Sequence, residues 1–345
     1  MKNEQALVAV QPEEGGQLLE LQFVDGPAAE PEEETTGDEH PNFIESNTQA
    51  ISIEELATRC IVPTFSDNSL TIAHQNAIAA VYKAAEDVFG ELTPPEIRVS
   101  HAINGRVASA IHKPTKDLTD EEKTIFYQRL AFVAHVKSMT RVVAGSEVHL
   151  CIGLCRCYNQ DKLYSRKSPE KITIFAGWIV RVCSNCCLTC NGNSGIVEVL
   201  TEADVYQKAY QLFRRFDPEK EDTLKLIENL HDTRISESLF CYIIGRLRLY
   251  QALPTEQQKN LPTIEIGDQA VNAAVRGFVS NPNFGLKEGE SSISMFEMLQ
   301  LFNEAIKQTY IDKWVGRNQN CTDFALGIQK AIQGNDTEGY NWFLQ

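Results

Sequence analysis

The chain has 345 residues, 43% of them hydrophobic, and a formal net charge of -15. That length holds one large or two ordinary domains with a sizeable core, and no apolar run approaches the roughly 18 residues of a membrane span. Residues 1–40 hold 11 Asp/Glu against one Lys, leaving 36 acids and 31 bases for the rest, so the overall acidity does not exclude a nucleic-acid partner. The N-terminal MKNEQALVAVQPEE has an apolar run too short for a secretory leader, which points to the cytoplasm. There, ten cysteines are expected as thiols or metal ligands rather than disulfides.

Residues 1–41, rich in Glu, Gly, Pro and Gln, read as a disordered acidic tail, with one apolar stretch at 18–24 that could pair with a partner. Ordered structure is expected from Asn42. A short helix over 53–58 precedes CIVPTF (60–65), a strand that Pro63 confines to an edge or a bend. Over 70–90, Ile78, Val81, Tyr82, Ala85, Val88 and Phe89 recur at helical spacing, and Gly90 stops the helix. EIRVSHAING (96–105) reads as a strand ending in a turn at Asn104-Gly105. From Leu118, a Thr119 cap and first-turn acids open a helix, which gives way to strand alternation at Leu130, Phe132, Ala134 and Val136. The arms EVHLCIGLCRCYNQ (147–160) and KITIFAGWIVRVCSNCCLTC (171–190) form a hairpin. Three consecutive strands then make a meander, each link being too short for a parallel crossover.

After Gly195 a short strand, IVEVL, leads into a helix that Thr201 and Asp204 cap. Residues 202–216, 219–231, 236–252, 267–279 and 293–313 have helical spacing, punctuated by Pro254, Pro262 and Pro282. Strands and helices segregate, so the expected class is α+β: an antiparallel β-meander core with a preceding helix and a C-terminal helical half. The β-rich region is 42–200 and the mainly helical region 201–345, as two packed parts or as one domain over 42–345. No internal repeat occurs.

Between Arg98 and Arg141 there are eight Lys/Arg, three His and only four acids, and the loop between the hairpin arms adds Lys162, Arg166 and Lys167 beside Tyr158 and Tyr164. Bases interleaved with aromatics on a sheet suit single-stranded nucleic acid, which needs phosphate neutralisation and stacking platforms. The residues expected at such an interface are Arg98, His101, Arg106, His112, Lys113, Arg129, Lys162, Arg166 and Lys167. Solvated faces with ordinary ion pairs are the competing explanation. A third basic group, Arg246 and Arg248 with Tyr250, needs nothing more than an amphipathic helix.

Seven of the ten cysteines lie between Glu147 and Cys190. Cys151, Cys155 and Cys157 share one face of a strand, and Cys183-x2-Cys186-Cys187-x2-Cys190 has the spacing of a zinc knuckle. Residues two apart on a strand are about 6–7 Å apart, too far for two sulfurs to share one zinc without a bend. Buried structural thiols are therefore expected, with no cofactor. Zinc at Cys155, Cys157, Cys183, Cys186, Cys187 and Cys190 is the sharper alternative, and redox or nucleophilic chemistry a third. No Gly-rich phosphate loop, H-E-x-x-H, G-x-S-x-G or paired-acid motif is present. His101 and His112 with Asp117 or Glu122 make an acid/base pair only on paper.

RVSHAINGR (98–106), HKP (112–114), EKTIFYQRLAF (122–132), YNQDKLY (158–164), RVCSN (181–185), IGRLRLYQALP (244–254) and TYIDKW (309–314) together resemble the uncharacterised bacterial family called domain of unknown function 3871. The resemblance runs from about Asn42 to the terminal WFLQ. It implies a phage-like or integrated mobile-element setting, with no assigned activity. The Cys-Ser-Asn turn and the late helix carrying Asn303 and Tyr310 are also similar to a broader group of phage and plasmid proteins of unknown function. Arg181, Cys183 and Asn185 form the motif turn, and Cys187 also falls on the family pattern. Cys155, Cys157, Cys186 and Cys190 look like additions of this member, which argues against a family-wide metal site. The expected function is a mobile-element accessory protein that binds single-stranded nucleic acid. Two alternatives stay open: an inhibitor or anti-defence factor that binds a host protein through acidic surface, and a metal-dependent enzyme of unfamiliar reaction. No membrane partner is expected.

Overall fold

The computed structural model describes residues 41–46, 48–60, 72–101, 103–106, 108–110, 112–143, 145–157, 169–188, 193–216 and 223–345. A short strand, β1 (Thr48–Ala50), precedes helix α1 (Ile53–Arg59). Its start is a reciprocal capping box: Ser52 Oγ accepts the Glu55 N–H at 3.1 Å, and a Glu55 carboxylate oxygen accepts the Ser52 N–H at 3.2 Å. Of the strand expected over 60–65, Cys60 is a bend at the end of α1, and the remainder lies outside the described residues. The next helix, α2 (His74–Phe89), ends at Gly90, whose φ of 86° favours glycine.

Two expectations change in the next stretch. EIRVSHAING is two strands, β2 (Glu96–Ser100) and β3 (Ile103–Arg106), and Asn104-Gly105 marks a register shift within β3 rather than a turn. The helix expected from Thr119 lasts a single 3-10 turn, Asp120–Glu122, before strand β4 (Lys123–Tyr127) begins. Thr119 does receive the helix-start signal, its N–H bonding a Glu122 carboxylate oxygen at 3.1 Å. The β-branched and aromatic run Thr124 to Tyr127 then favours pairing with β3 over continuing the helix.

The meander is β5 (Leu130–Val143), β6 (Ser146–Arg156) and β7 (Glu170–Val180), extended by β8 (Asn185–Cys187) and β9 (Asn193–Val199). The sheet runs β1-β2-β5-β6-β7-β8 with β9 also on β7, every pair antiparallel. In the chain segment that links β2 to β5, β3 and β4 form a separate two-stranded ribbon. Val148, Leu150, Ile152 and Leu154 on one face of β6 and Cys151 and Cys155 on the other are all buried. Cover on both sides explains why these arms read as almost unbroken apolar runs instead of alternating with polar residues.

The helical part begins with α3 (Glu202–Arg215), opened by the Thr201–Asp204 capping box, and α4 (Thr223–Asp232). Strand β10 (Arg234–Ser236) then pairs with β11 (Ser292–Ser294), bracketing α5 (Glu237–Ala252), α6 (Thr255–Gln258) and α7 (Asp268–Ser280). The helix expected over 293–313 is shorter: α8 (Met295–Ile306) ends at Lys307, and a separate, unforeseen helix, α9 (Ile311–Ile332), follows. Within the compact unit 37–345, α2 lies against β5 and β6, and α9 against β6 and β8. Ile311, Trp314 and Val315 of α9 pack with Phe43 and Ile44 on the thiol-bearing face, among Cys151, Cys155, Phe175, Ile179 and Cys186. Trp314 meets Phe43 and Phe175 edge to face at 5.3 and 5.6 Å, a geometry worth about 0.5–1.5 kcal/mol per pair beyond area burial.

Candidate nucleic-acid interface

Strand register sets up one rim of the sheet. Val99 of β2 pairs with Leu130 of β5, Leu130 with Arg156 of β6, and Arg156 with Ile172 of β7. The ends of β2 and β6 and the starts of β5 and β7 therefore lie side by side, and chain segments 101–129 and 157–169 both leave and return there. Those two segments contain every residue expected at the nucleic-acid interface except Arg98.

The individual side chains differ in what they offer. Arg98, 9% exposed, turns inward and donates to Asn42 Oδ1 at 3.1 Å and Thr48 Oγ1 at 3.3 Å. His101 and His112 are exposed, and Lys113 pairs with Glu122. Arg106 sits on β3 opposite Lys123. Lys162, Arg166 and Lys167, with Tyr158 and Tyr164, lie outside the described residues. Arg129 stands at the rim itself. One guanidinium nitrogen is 2.9 Å from Asp312 Oδ1, and the guanidinium carbon is 5.8 Å from the centroid of Tyr310, which is 56% exposed. Sequence reasoning gave Tyr310 and Asp312 no role at the interface. The one signal was their place in TYIDKW, some 180 residues downstream of Arg129.

Behind the rim is a buried polar cluster. Arg156 and Glu170 form an ion pair with both side chains almost wholly enclosed, and a Glu170 carboxylate oxygen also accepts the Ile72 N–H at 2.9 Å. His74 donates from Nε2 to the Gln128 carbonyl at 2.7 Å. Burial first, and the Arg156 charge second, bring its imidazole down to about 3 against the opposing pull of that hydrogen bond, so the ring is neutral at physiological pH. Cys157, at the mouth of this cluster, is pushed up to about 12, by burial foremost. It is therefore a protonated thiol rather than a nucleophile.

The other cysteines are divided by the sheet. Cys186 belongs to the core beneath α9, whereas its strand neighbour Cys187 faces the other way, accepting from Gln300 Nε2 at 3.4 Å and Asn303 Nδ2 at 3.8 Å. Cys190 lies outside the described residues. Among the described residues no three His, Cys, Asp or Glu side chains come together as a metal site. In the motif turn Arg181 is exposed and paired with Glu147, Ser184 takes a left-handed φ of 52°, and Cys183 is buried. The turn is held mainly by two contacts. The buried Lys307 ammonium donates to the Cys183 carbonyl, and Asn185 Nδ2 donates to the Gln300 carbonyl at 3.1 Å.

No helix among the described residues is long and apolar enough to cross a membrane. No curated protein and no solved structure matches the chain. A family model does, over residues 29–344, nearly the whole length. The chain belongs to the family described as "Domain of unknown function, B. Theta Gene description (DUF3871)".

Proposed function

We propose that the chain is a cytoplasmic accessory protein of a mobile genetic element that binds single-stranded nucleic acid at the rim formed by β2, β5, β6 and β7. The observation that carries this reading is the Arg129–Tyr310 pair, a cation against an exposed ring, at the place where both basic segments join the sheet. A base can stack on the free face of Tyr310 while Arg129 meets the adjacent phosphate, a combination that tolerates any sequence because every base has a π-face. Asp312 fixes the guanidinium, so less side-chain freedom is lost on binding. The His101, His112 and Lys113 side chains supply further positive or hydrogen-bonding groups along one of the two segments.

The test is fluorescence anisotropy of a labelled single-stranded oligonucleotide at low salt and at fourfold higher salt. Four phosphate contacts would weaken binding roughly 50-fold across that range. Tyr310→Leu, which removes the stacking face, is expected to weaken it about 5- to 100-fold. Absence of binding at low salt would retire the reading.

A further inference from the structure

Helices α5 and α7 pack antiparallel: Phe240 stacks on Phe278 at 4.1 Å near one end, and Arg248 reaches Asp268 and Asn272 near the other. Their shared outer face is apolar. On α5 it carries Cys241, Tyr242 (43% exposed), Gly245 and Leu249 (45% exposed), which recur at helical spacing. On α7, Val275 and Val279 (77% exposed) follow Asn272 at three and seven residues, so they continue the same face across the seam that Arg248 bridges. Gly245 is the odd member. A Cβ built there would meet nothing within 4 Å, and glycine in an exposed helix interior costs about 1 kcal/mol relative to alanine. Among the described residues nothing approaches Gly245 closely enough to need the missing side chain, whereas a second backbone approaching from outside would.

We propose that this face is a homodimer interface in which α5 crosses the α5 of a second copy antiparallel, with Gly245 at the crossing. A two-fold axis there sets each residue a given number of positions after Gly245 against the one the same number before it. Leu249 then meets Cys241, Arg248 meets Tyr242, and Ala252 meets Ser238. The larger Leu249 side chain faces the small Cys241, and Arg248, at the edge of the stripe beside Asp268 and Asn272, faces an aromatic ring. That self-complementarity is what an isologous interface requires and what an unrelated partner would have no reason to match. The antiparallel arrangement also opposes the two helix dipoles favourably.

Sedimentation velocity of the full chain across a concentration series is expected to give a species of twice the chain mass. Gly245→Arg and Leu249→Glu, both at exposed positions, are each expected to shift it to the chain mass while circular dichroism keeps the folded signature and thermal unfolding stays cooperative. Geometry supplies a second readout. The two Cys241 residues would be eight helical positions apart across the axis, about 12 Å, so a bismaleimide of similar span should give a covalent dimer that Cys241→Ser abolishes. A chain that stays monomeric throughout overturns the proposal and leaves the face to a different protein. So does a dimer indifferent to both interface substitutions.

Discussion

Lys307 brings a charged side chain, 1% exposed, into the seam between the motif turn and α8. Its ammonium holds the Cys183 carbonyl and lies 3.0 Å from Glu304, while its own carbonyl accepts the N–H groups of Glu45 and Ser46 at 2.9 and 3.2 Å. One residue thus ties the N-terminal segment, α8 and the turn after β7 together. Because Glu304 remains partly solvated, Lys307→Met chiefly strands the Cys183 carbonyl, with an expected loss of about 1–3 kcal/mol in urea unfolding. Cys183→Ser is expected to cost less than about 1 kcal/mol, since the turn uses that residue's main chain more than its thiol. Were the serine variant the more damaging of the two, the thiol itself would have to matter. This is where the sequence was legible in one sense and opaque in another. The Arg181 to Asn185 turn stood out as a motif, but its partners Gln300 and Lys307 are more than a hundred residues away and leave no local trace. The same distance hid Tyr310 from Arg129.

At the scale of elements, β6 and β7 were the easiest to read, because β-branched and aromatic residues bounded by turn signals leave little choice. Their close fit depends on Gly153. A Cβ at that position would lie 2.2 Å from the Phe132 carbonyl oxygen of β5 and 2.4 Å from the Phe175 ring of β7. The first obstacle is backbone and cannot rotate away. Gly153→Ala is therefore expected to destabilise by about 1–3 kcal/mol, read as a lowered urea midpoint, and an unchanged midpoint would mean that the strands can separate locally at no cost. Helix α9 was missed for a physical reason of its own. It is central rather than amphipathic, and it buries Asn318, Thr322 and Gln329 beside Trp314 and Phe324. Gln329 Nε2, for example, donates to the Asn229 carbonyl at 2.6 Å. Buried polar residues, Gln329 among them satisfied by a distant partner, interrupt the apolar stripe on which periodicity relies. Strand β4 failed the other way, with a genuine helix-start signal at Thr119 overridden by pairing with β3.

For the molecule as a whole, the polar cluster behind the rim makes folding depend on pH. His74 opens α2, Gln128 precedes β5, and Arg156 and Glu170 sit on β6 and β7, so the cluster joins the preceding helix to the sheet. In the folded chain the imidazole titrates at about 3, with burial as the main cause and the Arg156 charge next, whereas in the unfolded chain it titrates near the usual 6.5. A depressed histidine contributes its full stability above the unfolded value and loses it as the pH falls, because the unfolded state then binds a proton that the folded state refuses. Between pH 7.5 and 5 the loss from this one group should be about 2 kcal/mol. Most carboxylates remain ionised over that window and add little to the slope. Urea unfolding at the two pH values checks this in wild type and in His74→Gln, which keeps a donor for the Gln128 carbonyl but cannot titrate. The variant is expected to be less stable at pH 7.5 and to lose markedly less stability on acidification. Equal slopes in the two proteins would mean that the ring gains a proton without unfolding, and that water reaches the cluster from the rim.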